Sequence, residues 1–205
     1  MTKLEAALRK FFGPDRGAGS LARVLDHACT RGRVSYDEAQ TLIEEGADDV
    51  LLLASELRLL VPMRTLRSAA WEDRIFLAEP GAIYEMPHVV RFLVQNARQS
   101  GQWNPADALR ECFRLAGEPE WERIPIVVDR IGQRSEAHRI NARQIKEVCD
   151  ELGLGHRVDA LIAEVKGTGV MSPKLGSLAE VARIGAPIYE LNPCLFRKKG
   201  EEKKE

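Results

Sequence analysis

Gly81-Ala82-Ile83-Tyr84-Glu85-Met86-Pro87 returns later in the chain as Ala186-Pro187-Ile188-Tyr189-Glu190-Leu191, with Pro193 two positions on. Upstream of each copy the likeness continues. Arg33-Val34-Ser35 matches Arg139-Ile140-Asn141. Val50, Leu53, Ala54 and Leu57 match Val158, Leu161, Ile162 and Val165. Self-similarity at a near-constant spacing, here roughly 105 to 110 residues, marks one supersecondary unit used twice.

Local chemistry fixes the elements inside each unit. Leu21, Val24, Leu25 and Ala28 in the first, and Ile124, Val127, Val128 and Ile131 in the second, repeat at helical spacing. Pro125 has to sit in the first turn of the latter or kink it. Arg33-Val34 and Arg139-Ile140 then read as short extended stretches. Ser35 with Glu38, and Asn141 with Gln144, have capping-box spacing and start the next helices. Their buried faces are Ala39, Leu42 and Ile43 in one, and Ile145, Val148, Cys149 and Leu152 in the other. A third helix is predicted over 48–59 and over 156–166. Residues 61–66 and 74–85 predict two strands around a turn at Ser68 to Asp73. Val170 to Leu175 and Ile184 to Leu191 predict two more around Gly176-Ser177.

Outside the units, Thr2 and Glu5 open a short helix carrying Leu4, Leu8, Phe11 and Phe12, which Gly13-Pro14 stops. Residues 13–19 read as a linker, with Ser20 capping the following helix. A helix from about Pro87 to Arg98 precedes Asn104-Pro105, a cap followed by proline at the first helical position. Gly117 terminates the helix that follows.

The order helix, short strand, helix, turn, helix, two-stranded hairpin resembles the winged-helix variant of helix-turn-helix, occurring twice, over residues 19–86 and 121–196. That resemblance implies a mainly α protein with small β-hairpins (α+β), two winged-helix domains joined by a helical connector over 87–120. Residues 1–18 would be an N-terminal helix and linker, and 197–205 a disordered charged tail. Residues 48–59 and 156–166 would be the recognition-type helices. Residues 68–73 and 175–183 would be the wing tips.

Composition bounds the function. The chain has 205 residues, 44% apolar and 30% charged, which fits a folded globular protein rather than a disordered one. Lys plus Arg is 30 and Asp plus Glu is 31, without the basic surplus of a strong phosphate-backbone binder. The longest apolar run, Val50 to Ala54, is too short to span a bilayer, and the N-terminus carries no secretory pattern. A cytoplasmic location without membrane contact is expected. Cys29, Cys112, Cys149 and Cys194 are too far apart for a metal site or a disulfide framework, and the first three fall on helix core positions. No phosphate-cradling glycine loop, nucleophile elbow or metal-binding histidine pair is present, so neither a catalytic residue nor a cofactor or metal is expected.

The winged-helix resemblance implies a non-enzymatic DNA-binding transcriptional regulator, or alternatively a protein–protein adaptor of the chromosome-organisation or complex-assembly type. For double-stranded DNA the second unit is the better candidate. Its reader helix turns His156, Arg157, Ala160, Ala163, Glu164 and Gly167 outward, and Arg143, Lys166, Lys174 and Arg183 are placed for phosphate contact. For a protein partner or self-association the first unit is the better candidate. Its outward face, with Asp49 and Glu56 beside Leu52 and Leu59, repels phosphate and offers apolar contact, and Trp71 near the wing tip is a candidate anchor.

Overall fold

The computed structural model describes residues 1–13, 17–43, 45–63, 70–174 and 182–196. Helices α1 (Lys3–Phe12) and α2 (Ala18–Arg31) lead into strand β1 (Arg33–Ser35), helices α3 (Tyr36–Leu42) and α4 (Ala47–Glu56), and strands β2 (Val61–Pro62) and β3 (Ile83–Glu85). Helices α5 (His88–Ser100) and α6 (Pro105–Leu115) follow. Then come α7 (Ile124–Arg134), β4 (Arg139–Asn141), α8 (Ala142–Glu151), α9 (Val158–Gly167), β5 (Met171–Lys174) and β6 (Ile188–Leu191). The fold is mostly helical with two small antiparallel sheets, the expected α+β class.

The repeat read in the sequence is a repeat of hydrogen bonds. The sheets have the orders β1-β3-β2 and β4-β6-β5. Val34 faces Tyr84 in one, and Ile140 faces Tyr189 in the other. The Tyr36 N–H donates to Ala82 O at 2.8 Å, and the Ala142 N–H to Pro187 O at 2.8 Å. Both capping boxes are complete: Ser35 Oγ accepts from the Glu38 N–H and Asn141 Oδ1 from the Gln144 N–H, while each N3 side chain reaches back to the cap N–H. These bonds satisfy helix-end donors that nothing else reaches, which is why a few local residues carry so much of the pattern.

Several strand expectations need correction. The predicted strand over 74–85 is only Ile83–Glu85, and 61–66 reduces to Val61–Pro62, with 64–66 outside the described residues. Ile75-Phe76-Leu77 has strand-like composition but pairs with no strand among the described residues, and Arg74 Nη1 donates to Pro62 O on the edge of β2. In the second unit Ile184 to Pro187 precede the strand, with a helical turn over 182–184. The last position of the other predicted strand, Leu175, lies outside the described residues. Of the predicted wing tips, 68–69 and 175–181 fall outside too, as does the tail 197–205. The linker over 13–19 is shorter than expected. Helix α2 begins at Ala18, so Ser20 lies inside it rather than capping it.

The core runs through the whole chain. Buried side chains from α1, both repeated units, α5 and α6 form one cluster. Phe11 and Phe12 of α1 pack on Trp103, whose Nε1–H donates to Cys194 O at 3.0 Å. The connector therefore ties the N-terminal helix to the C-terminal end. All four cysteines are buried and free, and burial pushes the Cys112 thiol up to about 12, consistent with small core hydrophobes.

The two units meet through an exchanged contact. The sheet registers make Glu190 the counterpart of Glu85, hence Asn192 that of Pro87 and Gly169 that of Arg58. Asn192 Nδ2 donates to Arg58 O and to Gly169 O, each at 3.1 Å. Pro87 in turn packs against Gly169 so closely that a Cβ there would lie 2.5 Å from the proline ring. A contact that repeats with partners swapped is the mark of an approximate two-fold relation.

Candidate interaction surfaces

In the first unit, Gly46 at φ 77° turns the chain into α4 without a side-chain cap. Asp48 and Asp49 occupy the first turn, where a helix dipole favours negative charge. Asp48 Oδ1 also accepts from the Tyr36 hydroxyl at 2.7 Å, which fixes α4 on α3. Ala47, Val50, Leu51 and Ala54 face the core, leaving Asp49, Leu52 and Glu56 outside. Leu52 is 43% exposed. Met63, Ile75 and Leu77 in the same unit are also exposed, Ile75 at 75%.

Two of the predicted contact residues are not available to a partner. Leu59 is fully buried. Helix α4 stops at Glu56, and Arg58 at φ 53° reverses the chain, so that the Leu59 N–H donates to Ala54 O and the side chain swings inward. The helical period that would turn Leu59 outward ends three residues before it. Trp71 is 5% exposed. Its backbone N–H donates to Ser172 Oγ at 3.0 Å and its ring centroid lies 5.7 Å from the Arg58 guanidinium. The indole seals the boundary between the units instead of anchoring an external partner.

In the second unit, the six predicted nucleic-acid contacts divide into three groups. Arg157 is held by the buried Glu118 carboxylate with both guanidinium nitrogens, Nη2 to Oε2 at 3.0 Å, and lies 3.9 Å from Glu164. Lys174 is paired with Glu72 of the first unit. Both cations are therefore neutralised by partners remote in sequence. Arg143 and Arg183 are exposed, and an Arg143 Nη lies 3.9 Å from the Cβ position of Gly185. His156 is exposed in the short 3₁₀ turn leading into α9, and Ala160, Ala163 and Gly167 are exposed along that helix. Lys166 stands apart. It lines a cleft of about 490 Å³ between the units, with Arg74, Glu85 and His88.

Glu118 was not singled out from sequence. It follows α6 as one acid among many, and only its 3% exposure reveals its role. Burial alone would raise its carboxyl, but Arg157, Glu164 and the Glu120 N–H hold it down to about 2. Burial, together with the hydrogen bond and charge of Glu118, pushes Glu164 the other way.

A protein-family model matches residues 3–201, through both units and the connector. The chain belongs to that family. No curated protein and no solved structure matches the chain. Among the described residues no helix is long and apolar enough to cross a membrane.

Proposed function

We propose that the chain is a non-catalytic tandem winged-helix protein whose first unit docks another protein through the outer face of α4. The winged-helix assignment is supported by the sheet orders, in which the strand after the first helix joins the edge of a two-stranded ribbon, in both units. The observation that carries the docking reading is Leu52, exposed between Asp49 and Glu56 at the position a reader helix would present to DNA. Acidic residues there repel phosphate, whereas an apolar centre with a charged rim suits a protein contact. Four buried free thiols support a reducing, cytoplasmic setting.

A photo-crosslinking residue placed at position 52 in cells tests this. A discrete protein adduct at 52, absent when the same residue is placed at the exposed Glu147 and lost from an Asp49/Glu56 charge-reversed chain, is the expected result. Equal labelling at both positions, or none at 52, overturns the reading.

A second reading, DNA binding by the second unit, is favoured by Arg143, Arg183 and His156, which are exposed and enter no ion pair among the described residues. Fluorescence anisotropy on mixed duplex DNA at low salt distinguishes it. Binding that weakens steeply with salt and is lost in Arg143→Ala/Arg183→Ala supports it, and absence of binding at the lowest salt removes it.

A further inference from the structure

Ala137 and His138 both have positive φ, 47° and 59°. Around them Glu136 and Arg139 exchange two backbone hydrogen bonds, the Glu136 N–H to Arg139 O at 3.0 Å and the Arg139 N–H to Glu136 O at 2.8 Å. Two left-handed central residues closed in this way form a type I′ turn, the turn that favours Asn-Gly. A Cβ is crowded in that conformation, so Ala-His is an unfavourable pair for it.

The first unit avoids the difficulty at the equivalent place. Gly32 O accepts from the Met86 N–H at 2.8 Å, and His138 O accepts from the Leu191 N–H at 2.8 Å. Gly32 has φ 75°. The second unit thus carries a strained histidine where its sister carries glycine.

The strain delivers an imidazole to one location. Half-buried His138 lines a cavity of about 220 Å³ bounded by Phe11 and Phe12 of α1, Leu53 and Leu57 at the end of α4, and Phe196. Its ring centroid lies 6.2 Å from that of Phe196. Among the described lining residues it is the only one with a polar side chain. An apolar chamber with a single directional polar group is the general form of a small-molecule site. A dry apolar cavity of about 150 Å³ already holds benzene.

We propose that this cavity binds a small molecule with one aromatic-ring-sized apolar body and one hydrogen-bond acceptor, the acceptor facing His138. Leu53 and Leu57 extend from the helix whose outer face carries Leu52, so an occupant braces that helix from behind. The site does not depend on what, if anything, docks on Leu52.

Acetophenone and its near-isostere cumene are the probes, with calorimetry and Leu methyl NMR on the full chain as readouts. Wild type is expected to bind both, with shifts confined to the methyls of Leu8, Leu21, Leu53 and Leu57. His138→Ala is expected to weaken acetophenone at least fivefold while leaving cumene within twofold. His138→Gly, which restores the first unit's solution, is expected to lose the same preference without a fall in Tm. His138→Asn, which tolerates the left-handed backbone, serves if the glycine variant does not fold. Absence of binding by either probe at millimolar concentration overturns the proposal. So does an equal loss of both probes in the histidine variants, because that pattern belongs to a packing residue.

Discussion

Arg157 serves two acids at once, and the balance among the three sets a local pH response. The Glu118 side chain is 1% exposed, and its charge is tolerable only because the guanidinium faces it. Arg157→Ala leaves that carboxylate buried without its cation and is expected to cost about 3 kcal/mol, measured by urea denaturation at neutral pH. The other acid responds oppositely. Glu164, raised to about 7, contributes stability that is present below the ordinary carboxylate range and lost as pH rises through about 7. Glu118, held down to about 2, contributes stability that is present above the ordinary range and lost as pH falls toward about 2. Glu120 and Arg123, paired at 3.4 Å, border the cluster. Tm is therefore expected to decline as pH rises from the ordinary carboxylate range to about 7, and Glu164→Gln is expected to flatten that decline. An unchanged slope over that range in the glutamine variant would show that another group titrates there.

Helix starts show how much of the fold is written locally. Ser35 and Asn141 sit at the same place in their units and make the same pair of bonds, Ser35 Oγ accepting at 3.1 Å and Asn141 Oδ1 at 3.0 Å. Ser35→Ala and Asn141→Ala should each cost about 1 kcal/mol. For a chain of this length that is a fall in Tm of about 2–4 °C, readable by circular dichroism. Equivalent losses at the two positions would confirm that the caps do equivalent work. The caps, the short strands and the Ile-Tyr-Glu signature were legible because each depends on residues within a turn of one another. The region over 70–82 was not, since its apolar run has the composition of a strand yet pairs with none among the described residues. Leu59, Trp71, Arg157 and Lys174 were misjudged for a related reason. Their partners, Ala54 across a chain reversal, Ser172, Glu118 and Glu72, are set by tertiary packing, which a helical wheel does not contain. The exposure of Leu52, Arg143, His156 and Arg183 was legible because it needed only the period of one helix or the tip of one turn.

Across the molecule, the two units depend on each other at the exchanged contact. Gly169 has φ 80° and no room for a side chain against Pro87. Gly169→Ala combines backbone strain with overpacking and is expected to cost about 2 kcal/mol or more. Because one core joins both units and the connector, calorimetry of the wild type should show a single transition with matching calorimetric and van't Hoff enthalpies. Two resolved transitions would mean that the contact at Arg58, Asn192 and Gly169 is too weak to couple the halves. The approximate two-fold arrangement has one more consequence. A pair of separate subunits joined by the same faces would come apart on dilution, but here both halves lie on one polypeptide, and their encounter is governed by tether length instead of by abundance. The unfolding midpoint should thus stay constant over a thousandfold range of protein concentration, and each half is free to carry a different outer surface without risk of pairing with the wrong copy.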